Sequence, residues 1–284
     1  MERDTTDHVR PSLRVRVVVA LLGLVTGGLL AVPPSARAGT AYDYPTMGVA
    51  PVGANDWTCR PTAERPDPAV IVHGTFGDQK SLLDNLSLAL VQQGYCVYSL
   101  DYGNRATGPI EASAQQLKDF VDRVLGATGA AKVEMVGHSQ GGMMPRYYIK
   151  NLGGDAFVED LVGLVPSNHG TTVQNGVGGG WCVSCDQQMV GSAFLTALDS
   201  PDETPGAVDY TQVTTRNDEV VVPYSSAFLT ADAQSTNILL QDRCPVDAAD
   251  HPTILMDQQA IAWVLDAFGR VGPADASAPI GCTG

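Results

Sequence analysis

Ser139 stands in Gly137-His138-Ser139-Gln140-Gly141. A G-x-S-x-G run of this kind lifts a serine hydroxyl on a strained turn between a strand and a helix. Residues without side chains on either side let strand and helix close around the tip. A serine hydroxyl is a poor nucleophile at neutral pH. It needs a base, and the base needs a partner that fixes its tautomer. The bases on offer beyond residue 38 are His73, His138, His169 and His251. The carboxylates on offer include Asp155, Asp160, Asp218 and Glu219. Acyl transfer also needs backbone N–H groups aimed at a developing oxyanion, each worth about 3 kcal/mol. Gln140, directly after the serine, offers one. Thr75, in His73-Gly74-Thr75-Phe76-Gly77 after an apolar run, offers another.

The elements that must hold these groups alternate. Ala69-Val70-Ile71-Val72 reads as a buried strand, followed by a mostly apolar helix from Lys80 to Gln93 that ends at Gly94. Tyr95 to Leu100 reads as the next strand, and Glu111 to Leu125 as an amphipathic helix. Lys132 to Val136 leads into the Ser139 turn and a helix in which Pro145 is awkward, because it lacks a backbone donor. Val158 to Val165 is a further strand. Residues 170 to 206 break the rhythm, with glycines at 176 to 180, two close cysteines, and an apolar helix-like piece from Gln187 to Leu198. This reads as a cap or substrate-binding insertion. Val208 to Thr214 and Asn237 to Gln241 are the last strands, and Thr253 to Phe268 the last helix. Strands alternating with helices predict an α/β fold, a mostly parallel sheet flanked by helices. Asp218 follows the penultimate strand, with Glu219 as runner-up. His251 lies between the last strand and the last helix. Asn85-Leu86-Ser87 has the form of a glycosylation sequon but falls inside an expected helix.

The 284 residues carry 17 Lys and Arg against 31 Asp and Glu, a formal net charge of −14. Such a chain is a poor ligand for nucleic acid or an anionic lipid surface, and an uncharged ester surface does not repel it. Residues 1 to 38 read as a secretory signal. Arg10, Arg14 and Arg16 precede the apolar run Val17 to Val32, and Ala36-Arg37-Ala38 is a small-x-small cleavage site. The rival is a membrane anchor, for which the run is short of the ~20 residues a span needs. Cleavage after Ala38 leaves residues 39 to 284 as one domain, with no transmembrane anchor and a secreted, extracellular location. In an exported chain, six cysteines read first as disulfides. The preferred set is Cys59–Cys96, Cys182–Cys185 and Cys244–Cys282. The C-x-x-C spacing at Cys182 also admits zinc or redox readings, but no second pair or strand-to-helix context accompanies it.

The strand with its His-Gly turn, the Ser139 elbow, and then an acid and a histidine in that chain order match the α/β-hydrolase fold. More closely, the chain resembles the secreted class 2 lipases, in particular the CalB-like triacylglycerol lipases. The resemblance rests on Asp56-Trp57-Thr58-Cys59, the His-Gly-Thr loop, Gly94-Tyr95-Cys96, and Ser139-Gln140-Gly141-Gly142. It continues in Gln187-Gln188, Gly191-Ser192-Ala193, Leu195-Thr196-Ala197-Leu198, Asp218-Glu219-Val220-Val221-Val222-Pro223 and Asp250-His251. It implies Ser139, Asp218 and His251 as the catalytic triad and Thr75 and Gln140 as oxyanion donors, with Thr75 lending its hydroxyl as well. It implies a first disulfide Cys59–Cys96 and a C-terminal one from Cys244, and it puts Ser167 and Gln188 near the acyl pocket. Phe194 and Leu195 belong to the segment matching that family's pocket side, and are expected to bind substrate. His138 departs from the family, whose CalB-like members carry tryptophan there, and Cys182–Cys185 has no counterpart.

The expected protein is a secreted serine ester hydrolase, most simply a triacylglycerol lipase, using no metal and no cofactor. It would act as a monomer on an ester or lipid at an oil–water interface. A short-chain carboxylesterase or polyester depolymerase is the alternative within the class. An inactive hydrolase fold used for binding is the alternative outside it.

Overall fold

The computed structural model describes residues 48–173 and 180–282. The leader expected over residues 1 to 38, and most of the expected glycine run at 176 to 180, lie outside them. Among the described residues, six strands form one parallel sheet. They are β1 (Ala69–Val72), β2 (Val97–Ser99), β3 (Val133–His138), β4 (Val158–Leu164), β5 (Asp209–Thr214) and β6 (Ser235–Leu239), in the spatial order β2-β1-β3-β4-β5-β6. The chain reverses its direction of travel across the sheet after β2, so the ends of β1 and β3 open beside each other.

The strands are apolar along their length because both faces are covered. Val70, Val72, Val133, Met135, Val158 and Leu161 face one core, shared with α3 (Ile110–Thr128) and α4 (Gln140–Asn151). Ala69, Ile71, Val136, Val162 and Leu164 face the other, shared with α1 (Asp84–Gln92) and α8 (Gln258–Phe268). Between β2 and α3 the chain makes one turn, α2 (Gly103–Ala106), all of whose residues have positive φ. It is a left-handed turn, a conformation costing about 1–2 kcal/mol for each residue with a Cβ.

Several elements differ from the sequence expectation, each for a local reason. The helix expected from Lys80 begins at Asp84. The Asp78 carboxylate first accepts the N–H groups of Lys80 and Ser81 and so holds a turn in which Leu82 has positive φ. The apolar piece from Gln187 to Leu198 is not one helix. It takes in only the last residue of α5 (Val183–Gln187), then the non-helical residues 188–192, and then α6 (Ala193–Asp199), which Ser192 caps by accepting from the N–H of Leu195. The last helix splits likewise. A 3-10 turn at Thr253–Met256 precedes α8, whose start is capped by Asp257. The short helix α7 (Leu240–Arg243) continues directly from β6. Pro145 sits inside α4 without ending it.

Disulfides join Cys59 to Cys96, Cys182 to Cys185 and Cys244 to Cys282. The insertion is also held by charge. Arg146, fully buried on α4, reaches Asp199 at 2.8 Å and the Glu203 carbonyl at 3.1 Å. Lys150, one turn on, donates to the Leu198 and Ser200 carbonyls at the end of α6. Among the described residues, no helix is long and apolar enough to cross a membrane, and no group of three or more potential ligands is placed to hold a metal ion.

Candidate active site

β3 delivers Ser139 to the carboxyl edge of the sheet. Its φ of 55° and ψ of −123° are strained for a residue with a Cβ. The neighbours make that turn possible. A Cβ on Gly137 would lie 1.8 Å from the Gly141 carbonyl oxygen, and one on Gly141 would lie 2.4 Å from the carbonyls of Val72 and His73. Pro145 has a part here. It has no N–H to give the Gly141 carbonyl, the atom packed against Gly137.

Asp218 follows β5 and His251 follows α7, and their loops are latched together. Thr215 Oγ1 donates to the Ala249 carbonyl at 2.7 Å, and Gln241 Nε2 donates to Thr215 Oγ1 at 2.7 Å. The Asp218 carboxylate is buried. Its Oδ1 accepts the N–H groups of Val220 and Val221 at 2.9 and 2.8 Å. His251 Nδ1 lies 2.9 and 3.0 Å from its two oxygens. A carboxylate only accepts, so Nδ1 carries the proton and Nε2 keeps a lone pair. A ring in that tautomer can take a proton from a hydroxyl. Ser139 and His251 line the same cavity, of about 580 Å³.

Thr75 and Gln140 meet on its floor. Gln140 Nε2 donates to Thr75 Oγ1 at 3.0 Å and to the Ala106 carbonyl at 2.9 Å. Gln188 Nε2 donates to Thr75 Oγ1 at 3.1 Å and to the Ser184 carbonyl at 3.1 Å, while its Oε1 accepts from Ser167 Oγ at 2.8 Å. Both amide orientations are fixed, because a carbonyl can only accept. The left-handed turn is the hub of this arrangement. The Ala106 carbonyl also accepts from Ser184 Oγ at 2.5 Å, and the Arg105 carbonyl accepts from the N–H of Phe76 at 2.8 Å. Nothing in sequence periodicity marks Gly103-Asn104-Arg105-Ala106 as such a hub. The Gly-Asn pair is the only signal that a turn was due there.

Of the residues singled out from sequence, Ser139, His251, Thr75, Ser167 and Gln188 line one cavity, Asp218 stands behind His251, and Gln140 reaches Thr75. Phe194 and Leu195 are not brought there. Phe194 stacks on Tyr147 at 5.8 Å over a separate groove, and Leu195 is 2 % exposed in the core beneath α4. The expected helix starts only at Ala193, after the non-helical residues 188–192. The apolar wall is built instead by Phe76, Leu82, Val173, Val220, Val221 and Leu255. Sequence reasoning missed these, since they are scattered over four segments. At the mouth, Phe76 stacks on the exposed Trp181 at 5.7 Å. Cys185, of the Cys182–Cys185 bridge, also lines the cavity.

The other histidines have other partners. His73 Nδ1 donates to the Gly74 carbonyl at 2.8 Å, and its ring stacks on Tyr102. Burial pushes its pKa down. His169 faces Glu203 at 3.0 Å. His138 Nε2 is 2.8 Å from the His251 carbonyl oxygen.

A family model for class 2 lipases matches residues 66–264. Over 87 residues the chain is 38% identical to a triacylglycerol lipase of Pseudarthrobacter phenanthrenivorans, covering 28% of this chain and 27% of that one. Over 118 residues it is 35% identical to a triacylglycerol lipase of Vibrio cholerae, covering 35% of this chain and 37% of that one. The matched part thus spans between about a quarter and two fifths of these curated relatives. Among solved structures, Aspergillus fumigatus lipase B superposes with a TM-score of 0.68 at 20% identity, covering 80% of this chain and 57% of that one. The fold is that of the α/β-hydrolases.

Proposed function

This chain belongs to the class 2 lipases, and from that premise we propose a secreted serine ester hydrolase, a triacylglycerol lipase acting through an acyl-enzyme. Ser139 is the nucleophile, His251 the base and Asp218 its partner. The observation that carries this reading is the His251 imidazole, with Nδ1 bound to both Asp218 oxygens, opening onto the same cavity as Ser139. Ser139 Oγ attacks the ester carbonyl while Nε2 of His251 takes its proton. The N–H groups of Thr75 and Gln140 and the Thr75 hydroxyl receive the oxyanion. Collapse expels the alcohol, which is protonated by His251, and water repeats the sequence to free the acid.

The leader at 1 to 38 is removed, and residues 39 to 284 act extracellularly as one monomeric domain on an ester or lipid surface. Three disulfides support an oxidising destination. The short-chain carboxylesterase reading gains from one observation, that Phe194 and Leu195 lie outside the cavity. The test is fluorophosphonate labelling together with kcat/KM for p-nitrophenyl esters from acetyl to octanoyl. Labelling is expected at Ser139, and Ser139→Ala loses at least about 10³-fold in kcat while folded. Longer acyl chains should gain, up to ~0.8 kcal/mol per buried methylene. A folded Ser139→Ala variant with wild-type turnover ends the nucleophile assignment. A series falling beyond acetyl ends the lipase assignment and leaves the esterase.

A further inference from the structure

Among the described residues, one ring nitrogen of His138 is committed and the other is not. Nε2 is 2.8 Å from the His251 carbonyl oxygen, which can only accept, so Nε2 carries the proton and the neutral ring keeps its lone pair on Nδ1. Burial, and then the neighbouring His251, push the His138 pKa down to about 3, so the ring is uncharged wherever the enzyme is folded at neutral pH. Nδ1 lies over Gly74. A Cβ built there would come within 2.9 Å of Nδ1 and 3.0 Å of the Ser139 Cβ, so this edge of the ring stands beside the nucleophile. Among the described residues no protein donor meets it. The ring lines the cavity, with its centroid 4.8 Å from that of His251.

The proposed reaction brings the alcohol portion of the substrate close to this atom. The departing alkoxide takes its proton from His251, so the alcohol oxygen lies at that ring, and His138, whose ring centroid is 4.8 Å from it in the same cavity, is within reach of the alcohol's first carbons. A simple alkyl group would cover the Nδ1 lone pair with carbon and leave it unpaired, which is costly. An alcohol with a free hydroxyl on the next carbon brings an O–H donor to the same place.

We propose that His138 Nδ1 accepts a hydrogen bond from a free hydroxyl on the alcohol portion of the substrate, so that the site favours partial esters of polyols, such as mono- and diacylglycerols, over simple alkyl esters. This rests on the ester-hydrolase part of the reading above, and within it favours partial glycerides over the fully esterified triacylglycerol, which brings no O–H donor.

The test compares butanoate esters in isosteric pairs, 2-hydroxyethyl against propyl and 2-methoxyethyl against butyl. Both oxygenated alcohols withdraw electrons from the leaving oxygen, but only the hydroxyethyl group has a donor. In wild type, the kcat/KM advantage of hydroxyethyl over propyl should exceed that of methoxyethyl over butyl by roughly fivefold, about one net hydrogen bond. His138→Phe removes both nitrogens. All four rates should fall together as the His251 carbonyl loses its donor, and the fivefold difference should vanish. His138→Gln, with an amide oxygen and an amide N–H, should retain part of it. Equal advantages in wild type overturn the proposal, as does a difference that survives in His138→Phe. A folded wild-type protein that hydrolyses none of the four esters overturns the ester-hydrolase reading itself, and the proposal with it.

Discussion

The Thr75 hydroxyl has three hydrogen-bonding valences, and two are filled from outside. Gln140 and Gln188 each donate an amide N–H to Oγ1. Its own proton is left to point elsewhere, and the cavity beside Ser139 is the open direction. Thr75→Val keeps the backbone N–H and the shape but loses that proton. It should lower kcat on p-nitrophenyl butanoate by about 10²-fold or more with little change in KM, the mark of an interaction made in the transition state. Asp218→Asn is a different kind of lesion. Its amide oxygen would stay with the N–H groups of Val220 and Val221, which turns the amide N–H₂ toward His251 and enforces the wrong tautomer. The expected loss is about 10³- to 10⁴-fold in kcat with an unchanged circular dichroism spectrum. Normal turnover in that variant would move the acid to Glu219, which lines the cavity but is exposed.

At the scale of elements, two of the disulfides restrain very different lengths of chain. Cys59–Cys96 ties the segment before β1 to the start of β2 across a sequence separation of 37, whereas Cys182–Cys185 spans 3 within the turn that starts α5. Loop-closure entropy grows with the length enclosed, so the first should stabilise by about 4 kcal/mol and the second by about half that or less. Urea titration of the double Cys→Ala variants measures the difference. The short bridge has another consequence. α5 carries Ser184 onto the Ala106 carbonyl and leads to Gln188 on Thr75. Losing the Cys182–Cys185 bridge should therefore reduce kcat more than its small effect on stability suggests, whereas losing Cys59–Cys96 should do the reverse.

For the whole molecule, the buried end of the sheet matters as much as the reactive end. Glu134 on β3 and Asp160 on β4 are both buried, and their carboxyl groups share a hydrogen bond. Burial raises both carboxyl pKa values, and the charge of Asp67 on Glu134 and of Glu134 on Asp160 adds to it. The folded chain therefore holds protons that the unfolded chain releases. The stabilisation is complete below the ordinary carboxyl value of about 4 and declines as pH rises from there through neutrality toward the raised values. Tm should accordingly fall between pH 6 and 9. Glu134→Gln, which cannot ionise, should flatten that fall. A wild-type Tm that rises over this interval would contradict the assignment.

The sequence by itself determined what is local or ordered along the chain. Apolar runs covered on both faces specify the parallel strands. The glycines around Ser139 specify an elbow, because no side chain fits between β3 and α4 there. Chain order singled out Asp218 and His251 from the other carboxylates and histidines. Tertiary structure alone decided matters that depend on contacts between residues distant in sequence. Thr75 meets Gln188 across 113 positions, and His138 meets the His251 carbonyl across the same separation. No periodicity reports such a pairing. The apolar stretch after Gln187 turns helical only at Ala193, where Ser192 caps it, and Phe194 and Leu195 lie away from the cavity that their composition suggested. Apolar character says that a side chain will be buried, and only the path of the backbone says against what.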